Sequence, residues 1–214
     1  MKATYPFRRA FTLIDLLIVL ATIGFTAMLL PLFARSRTTR CGRPNCISNL
    51  KQIGLGMRMF SNDHSDKFPW LVPAQDGGSF DFLNSVQVFQ HFLALSNELY
   101  SPKILVCLAD KQKQRSIDWT NFSSANLSYF VGFDADEGKP NSILSGDRSL
   151  LIDNTNFQGL VTATTNSTIN IGRGMHTDWI GIGLADGSAQ QMTVDELRIQ
   201  FRKKNQMPLR FSIP

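Results

Sequence analysis

The sequence predicts an α+β protein in which a long N-terminal transmembrane helix and its amphipathic continuation pack on a small antiparallel sheet. Three patterns carry that expectation. Residues 10–34 read AFTLIDLLIVLATIGFTAMLLPLFA, with Asp15 as their one charge. Cys46, Leu50, Ile53, Met57 and Phe60 then recur at helical spacing and form one apolar stripe. Near the C-terminus, Ile180, Ile182 and Leu184 alternate with Gly181 and Gly183 ahead of Asp186-Gly187, an apolar strand face followed by a hairpin turn.

The chain of 214 residues is long enough for one ordinary domain plus a membrane segment. At about 1.5 Å rise per residue, some 20 helical residues cross a hydrocarbon core of roughly 30 Å, so 11–34 can span. A cleaved secretory signal has an apolar core of about 7–15 residues and a small-residue cleavage site. Here the run is longer and is followed by Arg35, Arg37, Arg40 and Arg43. Pro31 stands near its end, where the loss of one hydrogen bond is tolerated. A carboxylate at mid-bilayer costs about 2.5–3.5 kcal/mol on insertion scales, so Asp15 calls for a cationic partner. Nothing else in the segment is basic. A free amine made by cleavage before Phe11, on a neighbouring chain, would serve.

The order of a basic leader (Lys2, Arg8, Arg9), then FTLID, then the apolar run resembles the class III signal of type IV prepilins and type II secretion pseudopilins. In that family a membrane prepilin peptidase cuts after a small residue, usually Gly, and methylates the new amine. The resemblance implies that Ala10 precedes the cut, Phe11 becomes the methylated N-terminus, and Asp15 takes the place of the family's Glu in assembly. Ala in place of Gly keeps a small residue at the cut, and Asp keeps the carboxylate one methylene shorter. Three positive charges precede the span and four follow it, so charge alone does not orient it. The resemblance puts the leader in the cytoplasm. It implies a pilin-like arrangement of a leader (1–10), a transmembrane helix (11–34), an amphipathic helix extension (35–62) and a periplasmic α+β domain (63–214). The expected function is a structural pilin or pseudopilin subunit of a type IV pilus-like or type II secretion filament, single-pass in the inner membrane. The expected partners are the prepilin peptidase, other copies and other pilin-like subunits. The competing class is a membrane-tethered periplasmic binding protein or enzyme that uses the same anchor.

Further along, Gly42 and Pro44 predict a break before the striped helix. FPWLVPAQDGG (68–78) reads as loop. Residues 84–99 read as a second helix ended by Pro102, and 103–108, 127–133 and 149–152 as strands. The Asn- and Thr-rich stretch 154–170 reads as polar strand or loop. An isolated hairpin is marginal in water, so the 180–192 hairpin is expected to join strands 103–108 and 127–133. Ile180, Ile182 and Leu184 should then face the stripe of Leu50, Ile53, Met57 and Phe60. Thr193 and Glu196 form a capping-box pattern ahead of a short helix with Leu197 and Phe201.

His176, nine residues and then Asp186-Gly187 resemble the H-X9-DG region of prepilin-type proteins of planctomycete- and verrucomicrobia-like bacteria. NCISNLKQIGLGMRMFSNDHSDKFP and LSYFVGFDADE…LSGDRSLL resemble the same group. A His beside a carboxylate can act as a general base. However, no nucleophile stands at a recognisable elbow, and an extended strand puts His176 roughly 30 Å from Asp186. His176 is therefore read as bonding the hairpin backbone, Asp186-Gly187 as a turn, and the protein as not an enzyme, with no catalytic residue and no cofactor. Asp134, Asp136 and Glu137 in DADEG are the weak calcium candidates, because calcium takes several such oxygens; three solvated acids in a turn is the plainer reading. His64 and His91 have no ligand-spaced partners, and the cysteines have no zinc-type spacing.

Cys46 lies on the apolar stripe and Cys107 in an apolar segment expected to pack on it, so a Cys46–Cys107 bond is expected, with Cys41 left over. A short Cys41–Cys46 bridge is the competitor. Outside the cytoplasm a disulfide is permitted. The net charge of +5 is concentrated in the leader and in the arginines at 35 to 43. The remainder is close to neutral, so a pI of about 9.3 does not mark a nucleic-acid binder. Those arginines suit lipid headgroups, and no nucleic-acid partner is expected.

Overall fold

Two helices begin the chain, and they belong to different compact units, divided after Cys41. The computed structural model describes residues 13–34, 43–202 and 208–214. Ala10, Phe11, Cys41 and the arginines at 35, 37 and 40 lie outside the described residues. The first helix, α1, is Leu13–Ala34, and the second, α2, is Arg43–Asp63.

The expected arrangement, a long transmembrane helix and its amphipathic continuation packed on a small sheet, is corrected on two points. No helix among the described residues is long and apolar enough to cross a membrane. The sheet has six strands, and the helix lying on it is the amphipathic one, α2, which belongs to the second unit.

Those strands are drawn from β1 (Tyr129–Gly132), β2 (Ile143–Asp147), β3 (Leu150–Ile152), β4 (Gly159–Ala163), β5 (Ile169–Ile171), β6 (Ile180–Leu184), β7 (Ala189–Met192) and β8 (Leu209–Ile213). The main sheet runs β4-β8-β1-β2-β6-β7 and every pairing in it is antiparallel, while β3 and β5 form a separate ribbon. Two short helices complete the unit, α3 (Phe89–Leu93) and α4 (Val194–Phe201). Thr193 caps α4, its side chain and that of Glu196 each bonding the other's backbone N–H.

Side chains alternate across a strand, so the sheet sorts the apolar residues into two cores. Tyr129, Val131 and Leu144 join the α2 stripe of Cys46, Leu50, Ile53, Met57 and Phe60. Phe130, Ile143, Ile180, Ile182 and Leu184 join Leu197 and Phe201 of α4 and Leu150, Ile152 and Ile169 of the ribbon. Ile180, Ile182 and Leu184 therefore point inward, yet away from α2. The glycines between them take the helix side. A Cβ on Gly181 would lie 2.7 Å from Leu50 Cδ1, and one on Gly54 would lie 3.2 Å from the Gly187 Cα. The missing methyl groups let the helix and strand backbones approach closely.

Segment 103–108 is not a strand. Pro102–Leu105 forms a 3₁₀ turn with Ser101 accepting from the Lys103 N–H, and Cys107 follows in a buried loop. Proline suits the first position of such a turn and cannot donate to a ladder. The helix expected over 84–99 shrinks to α3, whose N-cap position, Val88, offers no capping side chain. Strands β2 and β8 lie outside the strand segments read from sequence. In β2 the register shifts between Ile143 and Ser145. This bulge adds one residue, so that Leu144 and Asp147, an odd number apart, both face α2.

Candidate functional site

Beneath α2, segments distant in sequence converge on one buried polar cluster. Cys46 comes from the first turns of α2 and Cys107 from the loop after the 3₁₀ turn. They are joined by a disulfide with Cα atoms 5.4 Å apart. His176, on the approach to β6, places Nε2 3.5 Å from Cys107 Sγ and 3.6 Å from Asp147 Oδ2. Its ring stacks on Trp179 with centroids 3.6 Å apart. Asp147 ends β2 and is wholly buried. The Gly181 N–H donates to its Oδ2 at 2.6 Å, while Oδ1 has no hydrogen-bond partner among the described residues. Tyr129 lies alongside, its hydroxyl accepting from Asn49 Nδ2 at 3.3 Å.

A carboxylate in such a place is costly to ionise. Burial pushes the Asp147 carboxyl up to about 7, the Gly181 N–H pulls it back in part, and the charge of Asp110 pushes it up again. Burial, with the negative charge of Asp147, also holds the Tyr129 phenol far above its usual range. Asp110 meets the opposite fate. Burial raises it, but Arg148 and Ser128 outweigh burial and hold it below the usual carboxylate range. Arg148 donates to both Asp110 oxygens, at 2.6 and 2.9 Å, and Ser128 Oγ donates at 2.9 Å. Another buried polar residue, His91, pairs Nδ1 with Ser79 Oγ at 2.8 Å, and burial lowers it to about 4.

The carboxylate beside His176 is thus Asp147, whereas Asp186 serves the turn. Ala185, Asp186 and Gly187 make a three-residue loop closed by the Gly187 N–H donating to Leu184 O at 2.9 Å, with Gly187 at φ +82°. Arg58 of α2 donates to the Asp186 carbonyl at 2.9 Å, and the Ser188 N–H to Asp186 Oδ1 at 2.8 Å. The acids of DADEG do not converge. Asp134 pairs with Arg210 at 2.7 Å, Asp136 lies 3.5 Å from Lys139, and Glu137 lies 4.0 Å from Arg58. Among the described residues the ligand-spaced group is Cys46, Cys107 and His176. Asp15 stands in the first turn of α1. Asp147 and Arg148 stand in LSGDRSLL but were given no role in the sequence reading, nor were Asp110 and Trp179. The available signal was an acid within a stretch bounded by apolar residues, ILSGDRSLL.

Compared with family models, curated proteins and solved structures, the chain matches none.

Proposed function

We propose that the chain is a structural, self-associating pilin or pseudopilin subunit of a type IV pilus-like or type II secretion filament, processed by a prepilin peptidase at the inner membrane. The observation that carries this reading is the ordered N-terminal signal, RRA before FTLID and an apolar helix. What further supports it is apolar surface that asks to be covered. Leu13, Ile14 and Phe25 of α1 are 76%, 67% and 67% exposed, and Leu55 on the outer face of α2 is 59% exposed. Exposed apolar surface on each helix suits association with other subunits. The Cys46–Cys107 disulfide suits a head that folds outside the cytoplasm. A tethered enzyme would need a solvent-open catalytic pair, and His176 with Asp147 is buried.

N-terminal mass spectrometry of protein extracted from membranes tests the processing. A chain beginning with methylated Phe11 is expected; an intact Met1, or a cut near Ala34, would overturn the reading. Asp15→Ala should leave the chain produced and processed yet absent from sheared filaments. Equal incorporation of variant and wild type would remove Asp15 from assembly.

A further inference from the structure

We propose that, when its disulfide is open, the protein holds a buried tetrahedral site for a zinc-class divalent cation, with Cys46, Cys107, His176 and Asp147 as ligands. The thiol and imidazole ligand atoms already lie within 4.8 Å of one another, and all three residues are buried. Zinc takes sulfur at about 2.3 Å and imidazole nitrogen at about 2.0–2.1 Å. A tetrahedron of those bonds has an S···N edge of about 3.5 Å and an N···O edge of about 3.3 Å. Cys107 Sγ lies 3.5 Å from His176 Nε2, and Asp147 Oδ2 lies 3.6 Å from the same nitrogen. The S···S edge is about 3.8 Å, which the two sulfurs reach by side-chain rotation once the bond between them is gone.

The orientation of the histidine points the same way. His176 is clamped in plane by Trp179, at an interplanar angle of 21°, with Nε2 turned to both Cys107 and Asp147. Such fixed orientation is what a ligand histidine needs. Four protein ligands and no access for solvent define a structural site, not a catalytic one.

Disulfide and cation are mutually exclusive, because both use the same two sulfurs. Opening the bridge takes two electrons and two protons. A dithiol reductant supplies both and leaves as its own disulfide. When the cation binds, each cysteine thiol and the Asp147 carboxyl release their protons to solvent, and two thiolates, one carboxylate and a neutral imidazole hold the divalent ion with one net negative charge. The site would hold the fold together under reducing conditions, and the disulfide would do so under oxidising ones. This inference is independent of the filament reading.

The test uses the full chain in detergent, with Cys41→Ser so that Cys46 and Cys107 are the only thiols. A water-soluble phosphine reduces the bridge, itself becoming the phosphine oxide, and cobalt(II) is then added. One cobalt per chain is expected, with a thiolate-to-cobalt charge-transfer band and tetrahedral visible bands that zinc bleaches. The oxidised protein should show neither band. His176→Ala and Asp147→Asn should each weaken cobalt binding at least tenfold. If the reduced chain loses its fold, zinc must restore its circular dichroism. Reduced protein that shows no tetrahedral cobalt spectrum, or that zinc leaves unfolded, overturns the proposal, as does unchanged affinity in both variants.

Discussion

The two faces of the central sheet are packed by different rules. The face toward α4 is almost wholly aliphatic and aromatic: Ile180, Ile182 and Leu184 meet Leu197, Phe201 and Phe211. The face toward α2 has glycines where the other has isoleucines, and it buries a disulfide, His176, Asp147 and Tyr129. Neighbouring residues on one strand thus answer to different physics. On the aliphatic face, stability follows the volume and area of removed methyl groups, and similar shapes can substitute. On the α2 face it depends on close backbone approach and on the protonation of groups cut off from water.

The largest expected difference is in pH dependence. Asp147 has a folded value near 7, above its ordinary value of 3.8. The unfolded chain therefore gives up that proton first. Its contribution is fully present below about pH 4 and is lost as pH rises to 7, up to about 4 kcal/mol in all. His91 acts in the opposite sense, with a folded value near 4 against 6.5. Its contribution is present above 6.5 and is lost as pH falls toward 4, about 3 kcal/mol. The two slopes oppose each other in the wild type. Urea unfolding of Asp147→Asn in metal-free buffer should show the variant gaining on the wild type as pH rises from 4 to 7. A constant difference across that range would mean that burial does not control the Asp147 proton.

A smaller effect sharpens the comparison within one strand. Gly181→Ala puts a methyl 2.7 Å from Leu50 Cδ1 and 3.0 Å from Asp147 Oδ2. Overpacking of this kind costs roughly 1–3 kcal/mol. Thermal unfolding should show a clear loss, and a melting temperature equal to wild type would show that α2 can retreat without penalty. The smallest effect is expected next door on the other face. Ile182→Val removes one methyl from the aliphatic core and should cost about 1 kcal/mol, with the pH profile left as in the wild type. A shift of that profile would show that the two faces are coupled through the strand.

Features with a short sequence reach were legible. The stripe from Cys46 to Phe60 coincides with the buried face of α2, the Thr193 and Glu196 pattern with the cap of α4, and Asp186-Gly187 with the loop between β6 and β7. Each rests on contacts within a few residues, so helical spacing, capping and turn chemistry suffice to show it. The strand read at 103–108 failed because an apolar run does not reveal its backbone, and Pro102 opened a 3₁₀ turn instead. The site was mostly illegible. His176 was singled out with Asp186, ten residues away, while its carboxylate, Asp147, comes from another strand.

By itself, then, the sequence determined the α2 stripe, the α4 cap, the turn at Asp186-Gly187 and the inward alternation of Ile180, Ile182 and Leu184, because periodicity is a property of neighbouring residues. Which face of the sheet receives α2 was left to the tertiary structure. That choice turns on how near two backbones can come, and Gly54, Gly181 and Gly187 settle it only once they meet. The same holds for the buried cluster. A bulge in β2 turns Asp147 toward α2, and the folded chain brings it to His176 and the Cys46–Cys107 bond. Burial then sets the carboxyl's proton affinity, a quantity that no spacing of residues along the chain records.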